Sequence, residues 1–217
     1  MNTLQIKIYP LGDLKTNCYL VSNEKEAVLI DPAAPSPVIC EDLNQDGLHL
    51  NFIINTHGHI DHIGGNTFFK TRFPTARIVI YETEILFLTN ADMNLSNELF
   101  RPYTSPEPDV FIRGEKHTFD LWEEEVLFLH TPGHTPGSLC LYIPSQQWLF
   151  SGDTLFAGSI GRTDLPGGSF HEIIRSLRFI MRTFHDPVRV FPGHGPETTI
   201  GEERKTNPYV IEYLGEK

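Results

Sequence analysis

The sequence predicts a layered α/β protein, and three observations lead to this prediction. Segments with the apolar pattern of strands take turns with segments of helical period, as in α/β layers. The alternation runs once through the first half of the chain and again through the second. The length of 217 residues, with 40% hydrophobic and 21% charged residues, allows one large domain or two small ones. We expect a single domain over residues 1–217.

The first half opens with β-structure. Residues 4–9 alternate with period two, and residues 16–21 and 27–30 predict a hairpin that turns through residues 22–25. Continuous apolar runs and helical spacing then predict a helix at 36–43, a strand at 50–55, a helix at 65–73, a strand at 77–81 and a helix at 82–89.

The second half repeats this rhythm. Four apolar segments are predicted to be strands, at 126–130, 139–143, 148–151 and 188–191. Apolar residues at helical spacing predict a helix at 170–184. Residues 90–109 have no periodicity and contain three prolines, which indicates either a surface linker or a loop that flanks a site.

Composition excludes several classes of protein. The net charge of −11 disfavours nucleic-acid partners, because such proteins neutralise phosphates with clustered Lys and Arg. No apolar run approaches the ~20 residues of a membrane span, so no membrane partner is expected. The first residues lack the pattern of a signal or transit peptide, and the three cysteines are widely spaced. These features favour a cytoplasmic protein.

The densest polar motif follows the apolar strand predicted at 50–55. It places His57, His59, Asp61 and His62 within six positions, with glycines that permit a tight backbone. Imidazole and carboxylate groups at this density are the donors that borderline divalent cations prefer. The motif therefore predicts a metal site.

Three further candidate ligands, His134, Asp153 and His194, also follow strand-like segments, and each lies next to Gly or Pro. Strand ends bring distant parts of a chain to one edge of a sheet. We therefore expect one site assembled from separate places along the chain.

In order and context, these seven residues resemble the metal-ligand pattern of the metallo-β-lactamase superfamily, and the resemblance covers nearly the whole chain. It implies a four-layer αββα sandwich and a dinuclear metal site with a shared hydroxide. It also implies that Asp61 and Asp153 are catalytic. By this resemblance one ion is held by His57, His59 and His134, a second by Asp61, His62 and His194, and Asp153 bridges them. Zinc is the first choice of metal, while iron and manganese suit the same donors.

Within the superfamily, the segments 151–156, 161–164 and 192–208 resemble the short bacterial members of the glyoxalase II branch. The β-lactamases of this fold usually carry cysteine where Asp153 stands, and they are exported. The resemblance implies a thioester hydrolase acting on S-lactoylglutathione or a related hydroxyacyl glutathione. In this reaction the metal-bridging hydroxide attacks the thioester carbonyl.

Two departures from glyoxalase II concern the substrate. Only 23 residues follow His194, so the C-terminal helical domain that binds glutathione in that enzyme is expected to be absent. Arg162 stands where the longer enzymes have a glutathione-contacting lysine, and Asp164 stands where they have a tyrosine. Arg162 is therefore the predicted substrate-binding residue, with an ion pair to Asp164 as the alternative.

Two other functions stay open. Persulfide dioxygenases share the Gly-Arg-Thr-Asp segment at 161–164 and much of the histidine motif but use one iron. A metal-binding module without catalysis is a third reading, although the intact second set of ligands argues against it. The sequence does not indicate an oligomeric state.

Overall fold

The computed structural model describes residues 4–99 and 101–215. The chain forms two compact units, the first ending at Ile112 and the second beginning at Arg113. Each unit contains one six-stranded sheet with helices packed against it. Among the residues described, none of the helices combines the length and the hydrophobicity that a membrane span requires.

The sheet of the first unit has its strands in chain order. They are β1 (Gln5–Leu11), β2 (Thr16–Ser22), β3 (Glu26–Ile30), β4 (His49–Ile54), β5 (Arg77–Tyr81) and β6 (Val110–Ile112). Strands β1 to β3 are antiparallel, and β3 to β6 run parallel. The helices are α1 (Pro37–Gln45), α2 (Ile60–Ile63), α3 (Asn66–Arg72) and α4 (Ile85–Thr89), and a 3-10 turn (Glu82–Glu84) precedes α4.

Helices α1 and α3 form one layer of the first unit. Leu43 of α1 and Phe69 of α3 are fully buried in one cluster with Leu29 and Ile53 of the sheet. Pro37 occupies the first turn of α1, where its missing N–H and fixed φ cost nothing. This packing leaves the carboxyl ends of the parallel strands at one edge of the sheet, where loops carry polar side chains.

The sheet of the second unit is mainly antiparallel. Its strands are β7 (Lys116–Leu121), β8 (Glu124–His130), β9 (Leu139–Ile143), β10 (Trp148–Gly152), β11 (Arg189–Pro192) and β12 (Thr198–Thr199), in the order β12-β11-β10-β9-β8-β7. Strands β10 and β11 are a parallel pair. The helices are α5 (Phe170–Thr183), α6 (Ile200–Thr206) and α7 (Pro208–Leu214).

Helix α5 supplies most of the helical layer of the second unit. Its N-cap Ser169 accepts a hydrogen bond from the Glu172 N–H, and its 14 residues bury one apolar face. Ile173 and Leu177 pack with Leu129 of the sheet in this core.

Most of the predicted elements are confirmed to within a few residues. They are the strands predicted at 4–9, 16–21, 27–30, 50–55, 77–81, 126–130, 139–143, 148–151 and 188–191, and the helices predicted at 36–43, 65–73 and 170–184. The helix expected at 82–89 is divided into the 3-10 turn and α4. Strands β6, β7 and β12 and helices α2, α6 and α7 were not predicted. The β7–β8 hairpin turns at Trp122 and Glu123, which both have positive φ.

Candidate metal centre

The loop after β4 brings three imidazoles into contact in the first unit. His57 and His62 are fully buried, and His59 is 2% exposed. His57 Nε2 lies 3.1 Å from His59 Nδ1. The His57 and His62 ring centroids are 4.0 Å apart. The short motif therefore folds into a compact cluster of nitrogen donors.

Asp31, directly after β3, lies behind this cluster. It is 1% exposed, and Oδ1 accepts a hydrogen bond of 2.7 Å from the Thr56 N–H. The Thr56 hydroxyl donates to Oδ2 at 2.7 Å, and His57 Nδ1 lies 3.2 Å from that hydroxyl oxygen. Asp31 Oδ2 is also 2.9 Å from His62 Nδ1. Through the Thr56 hydroxyl the carboxylate favours a proton on His57 Nδ1, and its negative charge attracts a proton to His62 Nδ1, so the Nε2 atoms of both rings are free to act as ligands.

Asp61 extends the cluster toward solvent. Its Oδ2 lies 3.6 Å from His62 Nε2, and its side chain is 17% exposed. The Thr16 hydroxyl of β2 donates to the same oxygen at 3.3 Å. Asp61 is therefore the more accessible donor of the first unit.

The segment predicted as a linker or a site-flanking loop contacts the motif. The Ile60 N–H, directly after His59, donates to the Asn94 carbonyl at 2.8 Å. The Tyr103 hydroxyl lies 3.2 Å from the Thr67 N–H and accepts a hydrogen bond from it. The described part of 90–109 is thus a loop that flanks the candidate ligands.

In the second unit, a parallel strand pair aligns two of the predicted ligands. The Gly193 N–H donates to the Gly152 carbonyl at 2.9 Å, which continues the β10–β11 ladder. Asp153 directly follows Gly152 and His194 directly follows Gly193, so the two candidate ligands leave the strand ends side by side. His194 Nε2 lies 3.6 Å from Asp153 Oδ2.

His134 approaches the same carboxylate from the loop after β8. Its Nε2 lies 3.6 Å from Asp153 Oδ2, and the side chains of both residues are buried. His134 Nδ1 lies 2.8 Å from the Arg162 carbonyl, which can only accept, so Nδ1 carries the proton. A Cβ at Gly161 would lie 1.9 Å from the Asp153 carbonyl, so only glycine permits this close approach of the 161–164 loop.

The Arg162 side chain pairs with Asp164. Nε and one terminal nitrogen donate to the two carboxylate oxygens, each at 2.8 Å. These hydrogen bonds lower the pKa of Asp164 to about 2. Both side chains are more than half exposed.

Both clusters fit divalent metal ions. Ligands at 2.0–2.1 Å around a tetrahedral ion are separated by roughly 3.3 Å. The donor atoms of His57 and His59 are 3.1 Å apart. The separation is 3.6 Å in each of the three histidine–carboxylate pairs, which are His62–Asp61, His134–Asp153 and His194–Asp153. Neutral imidazoles and carboxylates with fixed orientation suit zinc, iron and manganese.

Comparison with known proteins supplies the family. The model of the metallo-beta-lactamase superfamily matches residues 11–194, which include all seven candidate ligands. The chain belongs to the metallo-β-lactamase superfamily. Its fold is therefore the predicted metallo-β-lactamase fold, and it belongs to a superfamily of metallo-hydrolases that bind divalent metal ions.

Three similar proteins cover nearly the whole chain. A hydroxyacylglutathione hydrolase of Haemophilus influenzae is 32% identical over 95% of this chain and 98% of its own. A crystal structure described as the BLEG-1 B3 metallo-beta-lactamase is 36% identical, with a TM-score of 0.89 over 95% of this chain and 99% of its own. The structure of TTHA1623 in a di-iron-bound form is 33% identical, with a TM-score of 0.82 over 94% and 99%.

Two residues near the ligands were not predicted. Asp31 had a detectable signal, because it is an aspartate directly after an apolar strand, as Asp153 is. Glu84 had none, since its partner, the Gly58 N–H, lies 26 positions earlier.

Proposed function

We propose that this protein is a metal-dependent thioester hydrolase with two divalent ions. The resemblance to the superfamily assigns His57, His59 and His134 to one ion, Asp61, His62 and His194 to the other, and Asp153 to both. The observation that carries the proposal is the set of oriented donors 3.1–3.6 Å apart within each unit. A polar loop without a metal has no need for buried imidazoles with fixed tautomers.

Divalent ions in these positions supply a hydroxide nucleophile at neutral pH and Lewis-acid activation of the thioester carbonyl. The chain itself orients the donors. Asp31, acting through the Thr56 hydroxyl, and the Arg162 carbonyl hold protons on Nδ1 of His57 and His134, which leaves the Nε2 atoms of these two rings free to bind an ion. Asp61 is partly exposed, so its carboxylate can accept a proton from the attacking water.

The proposed substrate is S-lactoylglutathione or a related hydroxyacyl glutathione. This proposal is supported by the Haemophilus influenzae relative, which is 32% identical and is named a hydroxyacylglutathione hydrolase. Arg162 offers a guanidinium to an anionic group of this substrate. Its pair with Asp164 does not prevent this, because exposed ion pairs contribute only about 0–1 kcal/mol and a substrate carboxylate can compete.

The test is the rate of S-lactoylglutathione hydrolysis by protein reloaded with zinc, iron or manganese. Asp153→Ala serves as the inactive variant, and Asp120→Ala, at an exposed position of β7, is the matched control. We expect a metal-dependent rate in the wild type and the control that is lost in Asp153→Ala. No rate with any metal would refute the glutathione thioester, and oxygen consumption with a persulfide would then support the dioxygenase.

A second candidate activity is β-lactam hydrolysis. Asp153 argued against the β-lactamases, but the 36% identity to a structure described as a B3 metallo-beta-lactamase favours a test. The same metal-loaded preparations are assayed with a chromogenic cephalosporin. A kcat/KM above that for the thioester would make the β-lactam the better substrate.

A further inference from the structure

The two residues that flank His59, Gly58 and Ile60, are each held through their N–H group by one segment, residues 82–99. The Gly58 N–H donates to Glu84 Oε2 at 2.8 Å. The Ile60 N–H donates to the Asn94 carbonyl at 2.8 Å. The backbone is therefore fixed immediately before and immediately after this candidate ligand.

The Glu84 side chain is fully buried, at the end of the 3-10 turn. Burial of a carboxyl group is unfavourable unless strong hydrogen bonds replace its hydration, and an apolar side chain would fill the same space at lower cost. The carboxylate accepts from a backbone N–H, which is a charge-assisted hydrogen bond. Packing alone therefore does not account for a glutamate at this position.

Contacts around Gly58 restrict the motif further. A Cβ at Gly58 would lie 2.3 Å from the Phe87 Cβ and 3.1 Å from Glu84 Oε2. The Phe87 ring also meets the His59 ring, edge to face, with centroids 5.8 Å apart. The backbone of the motif is thus pressed against this segment, and His59 has little freedom to shift.

The second acceptor is equally well fixed. The buried Asn94 side chain donates to the Tyr103 carbonyl at 3.0 Å and accepts from the Ser96 N–H at 3.0 Å. Its own N–H donates to the Asn90 carbonyl. The Asn94 carbonyl therefore presents a constant direction to the Ile60 N–H.

We propose that Glu84 is a positioning residue for His59, and that it selectively strengthens the metal position to which His59 belongs. This inference rests on the proposed dinuclear site. Loss of the acceptor leaves the Gly58 N–H buried without its bond and lets the residue before His59 move. The position formed with Asp61 and His62 does not depend on this bond.

The test compares Glu84→Gln with Glu84→Met. The two replacements are close in volume, but only glutamine keeps an oxygen that can accept from the Gly58 N–H. Glu82→Ala, an exposed position of the same turn, is the control. Zinc affinity is measured at both positions by chelator competition, together with metal content after dialysis and thermal stability of the metal-free protein.

We expect Glu84→Met to lower the affinity at one position by roughly 10- to 100-fold, the effect usual for partners of metal ligands, with the other position unchanged. Glu84→Gln should stay close to the wild type, because it keeps the acceptor for the Gly58 N–H. A Glu84→Met protein with two wild-type affinities but reduced stability would overturn the proposal. Equal losses at both positions would overturn it as well.

Two measurements keep the test decisive. If Glu84→Met does not fold, Glu84→Ala is measured by the same criteria. Independently, the Gly58 and Ile60 amides of the wild type should exchange slowly with deuterium, and rapid exchange of Gly58 would overturn the proposal. Failure of the proposed function is distinguishable, because it would appear as a metal-loaded wild type that does not hydrolyse the thioester, whereas the role of Glu84 is read from metal affinity and amide exchange.

Discussion

Asp31 allows a prediction in which one atom changes and the geometry is kept. Its φ is +50°, a left-handed conformation that asparagine also tolerates, so Asp31→Asn should keep the backbone. The amide oxygen can still accept from the Thr56 N–H. The amide nitrogen then takes the place of Oδ2. This is the oxygen that lies 2.9 Å from His62 Nδ1 and that accepts a hydrogen bond from the Thr56 hydroxyl in the wild type.

This replacement reverses the protonation of His62. A neutral amide no longer attracts a proton to His62 Nδ1, and its N–H groups favour the tautomer with the proton on Nε2, which can no longer bind a metal. We expect a decrease in metal affinity of roughly 10- to 100-fold, equivalent to about 1.4–2.7 kcal/mol. Loss of one hydrogen bond to a charged group should cost about 1.5–3 kcal/mol of folding stability.

The assay separates these two effects. Zinc affinity is measured by chelator competition, and the thermal midpoint is measured with and without chelator. Asp13→Asn, whose side chain is 85% exposed, is the matched control. Metal affinity of Asp31→Asn within twofold of the wild type would refute the tautomer argument, even if the thermal midpoint decreased.

Four other outcomes are expected. Asp153→Ala should abolish hydrolysis, whereas Asp61→Ala should lose one of two ions; an Asp61→Ala enzyme with an unchanged rate and two ions would contradict the two-metal assignment. Arg162→Ala should raise KM for a glutathione substrate more than it lowers kcat, and an unchanged KM would make Arg162 structural. Asp164→Asn should lower that KM, because it frees the guanidinium of Arg162. The pKa of Asp164 is about 2, so the carboxylate of the wild type stays ionised and paired as the pH falls to about 4. Protonation of Asp164 should therefore not change KM above that pH. Burial raises the pKa of the Cys140 thiol to about 12, so a disulfide reagent should label it only after unfolding, and rapid labelling of native protein would contradict this burial.

The candidate ligands could be found in the sequence because their signal is local. His57, His59, Asp61 and His62 lie within six positions, and metal chemistry needs this density of donors. The structure brings these four together in the first unit, and His134, Asp153 and His194 together in the second. The partners that orient them are less visible. A buried carboxylate such as Glu84 acts on a backbone N–H, which leaves no pattern of side chains to detect.

Three of the elements that were missed, β6, β12 and α6, lack an apolar period. Strands β6 and β12 contain three and two residues, too few for any period to be recognised. Helix α6 buries the charged Glu203 on its inner side, where this carboxylate accepts from the Gly158 N–H at 2.9 Å and the Thr198 hydroxyl at 2.7 Å. In α6, tertiary hydrogen bonds take the place of the apolar stripe by which a helix is recognised in a sequence. The N-cap residues Thr199 and Asn207 were the remaining signals.

Asp31 in the first unit and Asp153 in the second are each placed by a parallel ladder that continues past the last residue of a strand. In the first unit the Asp31 N–H donates to the Ile54 carbonyl at 2.9 Å, and in the second the Gly193 N–H donates to the Gly152 carbonyl at 2.9 Å. A carboxylate has a short side chain, so its reach is set by the backbone that carries it. His57 and His134 instead stand on glycine-containing loops, and Thr56 and the Arg162 carbonyl orient their rings. Substitution of such partners should therefore change metal affinity while the sheets remain intact, whereas displacement of Asp31 or Asp153 requires the ladder itself to open.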